Sequence, residues 1–290
     1  PTVVLVEEAA ELLESHVLPL LQQSVEHVIL IGDQNQLPPT VNAYHLKRDH
    51  GFALSMMERL ICNDLEYAKL MRQSRMHPAF SVFLRDRYPK LEDNLDVVNC
   101  LDGPECMAHR LFWWNHTDPE KEGRSPSNPK EAERIVRLAM YLVLQGVPVN
   151  KITILSPYVG QVMLLRRMVR QSLPDVQSEV SKVFRTSDAA EMGQLDVQAA
   201  DKFQGDENDV IILSMVRSNP SHTKGFMETD EGVNRKVVMQ SRQRKALFIV
   251  GNARCFECNK GKGGDERPSK VWSSYISGMR QLQRLGDEIV

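Results

Sequence analysis

Short runs of β-branched and aliphatic residues alternate with stretches whose apolar positions recur at helical spacing. That alternation predicts α/β layers built around parallel sheet. The run Val3-Val4-Leu5-Val6 reads as a strand buried on both faces of a sheet. Residues 9–23 carry Leu12, Leu13, Val17, Leu20 and Leu21 and predict a helix. Residues 27–31 predict a second strand, followed by a loop over 32–40 with its Pro38-Pro39 pair. Helices are expected over 52–61 and 77–87, with a short extended piece at 67–71 between them. Residues 89–110 are irregular, and 116–130 are rich in Pro, Ser, Asn and charge, so a seam is expected between about 72 and 110.

A second α/β run follows. Residues 111–114 read as extended and 129–145 as an amphipathic helix through Ala132, Ile135, Val136, Leu138, Ala139, Leu142 and Val143. Residues 152–155, 195–199, 210–213 and 247–250 predict strands, and 160–172 a helix. Residues 257–270 read as a Gly/Lys linker ahead of a short amphipathic helix at 272–285.

Composition narrows the class. With 42% hydrophobic and 26% charged residues, the 290-residue chain is neither disordered nor collagenous nor a disulfide scaffold. A net charge of −2 gives no global basic field, so a nucleic-acid partner would need a local groove. No apolar run approaches a bilayer span, so no membrane partner is expected. The five cysteines are odd in number and scattered, which suits reduced thiols. An intracellular protein, cytoplasmic or nuclear and not secreted, is expected. The chain opens directly on a strand, without Met or leader, which predicts a piece of a longer protein.

Five polar segments border strands, the first two directly after a strand, at the carboxyl end where open α/β sheets bind ligands, and the last two ahead of one. Glu7-Glu8 can hold a hydrated Mg²⁺ and orient a water, or serve as a dipole pair for the next helix. Gly32-Asp33-Gln34-Asn35-Gln36 offers close backbone approach, an acceptor and an amide, or is a polar turn. Gln73-Ser74-Arg75 brings a guanidinium that can clamp phosphate. The segment from Asp201 to Asp209, and Arg235 with Ser241-Arg242-Gln243-Arg244, complete the set. Each alone is equally readable as a solvated turn or salt-bridged face.

Taken in order, the segments spelled VEEAAE, GDQNQLPP, QSRMHP, DKFQGDENDVIILSMVRSN and VNRKVVMQSRQR resemble motifs II to VI of Upf-like (DNA2/NAM7-type) superfamily 1 helicases. The resemblance covers roughly residues 3–253. The VEEAAE spelling and the terminal WSSYISGMRQL are most similar to zinc-finger-containing RNA helicases of the small-RNA silencing branch. The resemblance implies RecA-like P-loop NTPase architecture with the first RecA domain truncated. Residues 1–72 would end that domain, 73–255 would form the second, and 256–290 would be linker and C-terminal helix. It also implies ATP and Mg²⁺ as cofactors, single-stranded RNA (or DNA) as partner, and RNA-silencing or RNA-decay proteins as companions.

By that resemblance Glu7 holds Mg²⁺, Glu8 is the general base, Gln36 senses the γ-phosphate, and Arg75 and Arg242 neutralise transition-state charge. Gln73, Gly205 and Glu207 contact the nucleotide. Ser156, Pro157, Tyr158 and Gln161 match the nucleic-acid-facing motif, with Arg217 coupling the two sites.

Departures mark the chain. No G-x-x-x-x-G-K-[ST] phosphate loop occurs in it, so the chain alone is expected to be inactive as an ATPase. Glu7 replaces an Asp, and Ser74 stands where relatives have an adenine-stacking Tyr. Met239, Gln240 and Gln243 replace small or apolar residues around Ser241-Arg242, and residues 228–234 run about three longer than usual. These departures keep open an alternative, a degenerate helicase-like scaffold that binds RNA or docks proteins. Cys255-x-x-Cys258 has zinc-like spacing without a second pair nearby, and seven histidines, His222 among them, show no ligand spacing. Trp113-Trp114 reads as core, and Lys260-Gly261-Lys262 as solvated linker.

Overall fold

The computed structural model describes residues 1–184, 195–261 and 264–289; Lys262 lies outside them. The larger of its sheets has six parallel strands in the order Leu285–Gly286, Leu111–Asn115, Gln243–Gly251, Asn208–Ser214, Ile152–Ser156, Asp196–Ala199. Central strands of such a sheet are covered on both faces, which explains the unbroken apolar runs at 210–213 and 247–250. One face carries the helix Pro129–Leu144, capped where the Asn128 side chain accepts from the Glu131 amide, and the N-terminal half of the helix Val159–Phe184. The other face is covered by Met76, Phe80, Leu84 and the C-terminal helix Ser273–Gln281.

That second cover corrects the linker expectation. Cys258–Lys260 pairs antiparallel with Glu266–Pro268 as a two-stranded hairpin, and Leu285–Gly286 joins the main sheet as its edge strand. Trp272, Tyr275, Ile276 and Met279 are buried, and the Trp272 indole donates to the Met227 carbonyl at 3.1 Å. Trp113 is fully buried and donates to the Gly251 carbonyl at 2.9 Å, bearing out its core reading. Gly251 itself is fixed by crowding: a Cβ there would come within 2.6 Å of the Met215 Cβ.

The N-terminal region is smaller. Val3–Val6 pairs in parallel with His27–Leu30 over a core of Val4, Val6, Ala9, Val17 and Met56. The expectation of burial on both faces fails: Val3 and Leu5 are 49% and 59% exposed, because only one face of this pair is covered among the described residues. The helix expected over 9–23 shrinks to one turn, Glu14–Val17, and a 3₁₀ turn, Leu18–Leu20. Pro19 lacks an amide donor, and of the leucines meant to form the buried stripe, Leu20 and Leu21 face solvent. Likewise the helix expected over 77–87 is a short Pro78–Ser81 helix and a 3₁₀ turn, Val82–Leu84. The extended piece falls not at 67–71 but at Arg72–Gln73, paired with Glu92–Asp93. A helix at Tyr44–His50 was not expected, while Met56–Cys62 matches the helix expected at 52–61.

If the C-terminal helix is core rather than appendage, Trp272→Ala should cost about 3–5 kcal/mol of unfolding free energy in urea. A loss under about 1 kcal/mol would return residues 256–290 to the status of a tether.

Candidate functional site

The strand Val3–Val6 delivers Glu7 and Glu8 at its carboxyl end. Glu8 sits in the left-handed backbone region, at φ +50°, a strained placement for a non-glycine residue. That turn aims its carboxylate across to the second sheet, where Oε2 accepts from the Gln204 amide nitrogen at 3.0 Å. The Gln204 amide oxygen accepts in turn from the Leu37 backbone N–H at 3.3 Å, so one side chain bridges both acid and loop. Gly205 follows at φ +84°, and a Cβ there would lie 3.8 Å from Glu8 Oε1. Glu7 is exposed, and no side chain among the described residues pairs with it.

The 32–38 loop is held from both sides. Asp33 accepts from the Gln36 amide at 3.1 Å and from the Tyr88 hydroxyl at 2.6 Å. Burial raises the Tyr88 pKa, and the Asp33 carboxylate raises it further, so the phenol stays a donor. Asn234 donates to the Gln36 carbonyl at 2.7 Å. With its backbone fixed, Gln36 offers its side-chain oxygen to Arg242 Nη2 at 3.3 Å.

Arg242 is 2% exposed, and its guanidinium also reaches the Ser241 hydroxyl at 2.7 Å and the Val238 carbonyl at 3.2 Å. Burial, then the nearby Arg75 guanidinium, push its pKa down to about 10, leaving a buried cation at neutral pH. Arg75 pairs with Glu207 at 2.5 Å and donates to the Ser241 carbonyl at 3.2 Å. Gln73 has a different part from the one expected. Its oxygen accepts from the Arg75 and Met76 amides, and its nitrogen donates to the Met76 carbonyl and Asp93, so it folds the turn that presents Arg75. Ser74 is exposed and offers no aromatic face.

Thus Glu8, Gln36, Arg75, Arg242, Gly205 and Glu207 converge on one cleft between the two sheets, with Glu7 at its rim. Gln204, Asp33, Tyr88 and Asn234 are the supports; Asp33, Gln204 and Asn234 lie in segments that the sequence singles out, and Tyr88 does not. The cleft sets carboxylates, an amide and two guanidiniums around one space. Such oxygen donors and cations suit a hydrated hard metal and phosphate oxygens.

The second expected surface needs correction. Ser156, Tyr158 and Gln161 are buried, not facing outward. Ser156 Oγ accepts from the Tyr158 amide, and Tyr158 donates to the Lys224 carbonyl at 3.1 Å, burial having pushed its pKa up to about 12. Gln161 donates to Ser214 Oγ at 3.0 Å and accepts from the Asn128 amide at 2.8 Å. Loops from 116–128 and 215–224 close over these strand ends. Pro157 is half-buried, and Arg217 is paired with Glu120 at 3.1 Å while lying over the Tyr158 ring. These residues shape the surface from beneath.

Their anchor is Glu131, which is fully buried. Its carboxylate accepts from the Ser214 hydroxyl at 2.5 Å, the Val216 amide at 2.9 Å and His116 Nε2 at 2.9 Å. The Asp118 amide donates to His116 Nδ1, which assigns the imidazole proton to Nε2. Val216, at φ +67°, is held in that strained turn by its bond to Glu131.

The residues matched by known families fall on this architecture. A family model described as an AAA domain (AAA_12) matches residues 52–254, and a second AAA domain model (AAA_11) matches residues 1–43. The chain belongs to the Upf-like group of superfamily 1 helicases. NFX1-type zinc finger-containing protein 1 of Mus musculus is 32% identical over 293 residues, covering 100% of this chain and 14% of that protein. The Helicase required for RNAi-mediated heterochromatin assembly 1 of Schizosaccharomyces pombe is 35% identical over 256 residues, covering 87% of this chain and 24% of that protein. The chain therefore spans under a quarter of the length of these curated relatives. A solved arterivirus nonstructural protein 10 helicase with DNA is similar at TM-score 0.41 and 15% identity, covering 85% of this chain and 38% of that one. Among the described residues no helix of this helicase-family chain is long and apolar enough to cross a membrane.

Replacing the buried carboxylate by an amide puts a donor against two N–H groups and a hydroxyl. Glu131→Gln should cost about 2–3 kcal/mol in urea unfolding, and Ser214→Ala about 1. A neutral Glu131→Gln would remove Glu131 as the organiser of this end.

Proposed function

We propose that this chain supplies the motif II-to-VI half of an ATP-dependent RNA helicase or translocase. The single observation that carries the reading is the convergence of Glu8, Gln36 and Arg242 across two sheets, because a cleft that shares its charged groups can link nucleotide turnover to relative movement.

The roles follow from position. Glu7, exposed at the strand end, would hold Mg²⁺, which would supply positive charge against the phosphates. Glu8 accepts the proton of the attacking water, and Gln204 holds its carboxylate in place until then. Gln36 orients the reacting phosphate. Arg242, at the start of a main-sheet strand and already desolvated, and Arg75, in the turn after Arg72–Gln73 and parked on Glu207, bring positive charge to the side facing Glu8. The Glu207 carboxylate and the Gly205 backbone take the sugar side of the nucleotide. The lysine that grips phosphates is not in this chain, so the chain alone turns over no ATP. A place in RNA silencing is supported by the relative named for RNAi-mediated heterochromatin assembly, and RNA as the single-stranded partner by a relative named RNA helicase aquarius of Mus musculus, 31% identical over 275 residues.

The scaffold reading draws on one specific feature: around Arg242, buried polar atoms of Gln240 and Gln243 have no hydrogen-bond partner. Turnover separates the two. A protein joining this chain to a phosphate-loop segment should hydrolyse ATP faster with single-stranded RNA than with DNA. Arg242→Ala or Arg75→Ala should each lower that rate by about 10³-fold or more. RNA binding without turnover would replace the motor with the scaffold.

A further inference from the structure

Far from the cleft, the loop after the strand Asn208–Ser214 meets the C-terminal hairpin, and three donor side chains gather there. His222 Nδ1 lies 3.0 Å from Cys258 Sγ, and donor atoms of His222, Cys258 and Glu266 are all within 4.8 Å of one another. We propose that His222, Cys258 and Glu266 form a zinc site that staples this loop to the hairpin.

The backbone is arranged for it. His222 is 8% exposed and sits at φ +50°, in the left-handed region that histidine enters more readily than most side chains. Its amide donates to the Asn219 carbonyl at 3.1 Å, and the Asn219 side-chain oxygen accepts from the Thr223 amide at 2.9 Å, so the loop is closed on itself. In the hairpin Cys258 faces Pro268 and Lys260 faces Glu266, which puts Cys258 and Glu266 diagonally on one face. Lys224 binds the ligand backbone from behind. Its ammonium donates to the carbonyls of His222 at 3.2 Å, Cys255 at 3.0 Å and Cys258 at 3.0 Å and to the Asn259 side-chain oxygen at 2.6 Å, and the Glu228 carboxylate 3.8 Å away balances its charge.

The donor chemistry chooses the ion. One imidazole nitrogen, one thiolate and one carboxylate are the ligand types of zinc, and a sulfur donor disfavours magnesium or calcium. A thiolate and a carboxylate offset the two positive charges. On binding, the Cys258 thiol, which now donates to the Arg254 carbonyl at 3.4 Å, releases its proton to solvent. A groove of about 500 Å³ lined by Cys258, Glu266 and Ser273 admits water for the fourth position. Arg254, which pairs with Glu266, is more than half exposed and can swing away at little cost.

Cobalt(II) added to the chelator-treated chain should give an equimolar complex with thiolate-to-metal charge-transfer absorption. Cys258→Ser should abolish that band, and Cys62→Ser and Cys100→Ser, at exposed sites, should keep it. Because Cys258 is buried, Glu266→Gln at the rim is the second variant: it should weaken cobalt binding while leaving the fold intact. Zinc should raise the thermal midpoint of the parent chain and not that of Glu266→Gln, with EDTA reversing the gain. Absence of an equimolar thiolate band, or a band that survives Cys258→Ser and Glu266→Gln, would overturn the site.

Discussion

A guanidinium removed from water must find acceptors, and Arg242 is the place where this requirement is met across the molecule. Its charge is buried and persists at neutral pH, so leaving it unpaired would be costly. Ser241 and Val238 supply acceptors from its own segment, and Gln36 supplies one from the other sheet. Gln36 can do so because Asp33 and Asn234 fix its loop, and Asp33 is itself held by Tyr88. From Tyr88 through Asp33 and Gln36, the cleft is thus a chain of hydrogen-bonded side chains ending on a buried cation. Its geometry depends on both sheets at once.

The same rule orders the opposite end of the main sheet with the signs reversed. There a buried carboxylate, Glu131, on a helix, collects donors from a strand end, the turn that follows it and the 116 loop. Lys224 repeats the pattern with backbone carbonyls on the C-terminal side. Each buried charge ties together segments far apart in the sequence, and the loops so fixed are those that border the cleft or the hairpin. Polar networks of this kind add specificity to a core whose packing alone would leave strand ends free to shift.

The strands of the main sheet were legible because aliphatic runs buried on both faces need no partner to be recognised. The 9–23 helix was not, since its leucine spacing mimics a buried stripe while Pro19 and the Glu8 turn break the backbone. Glu8, Gln36, Arg75 and Arg242 were readable as polar groups at strand ends, which is a local property. What each touches is not local: Gln204 meets Glu8 from 196 positions away. Ser156, Tyr158 and Gln161 share the residue types of a ligand surface, and only the loops folded above them decide that they are buried. His222 and Cys258 lie 36 positions apart, so no spacing rule joins them. Glu131 stands at a helix start where an acid is ordinary on the surface, and its burial follows from the strand end beneath it.

The claim that Arg242 and Gln36 tie the two sheets together is tested most directly by a double-mutant cycle on the unfolding free energy of this chain. Gln36→Ala, Arg242→Met and the double variant would be compared in urea. The account predicts a coupling energy of at least about 1 kcal/mol, the double variant losing less than the two single losses combined. Strict additivity, within about 0.3 kcal/mol, would mean that the two side chains act independently and that the cleft is not held by their contact.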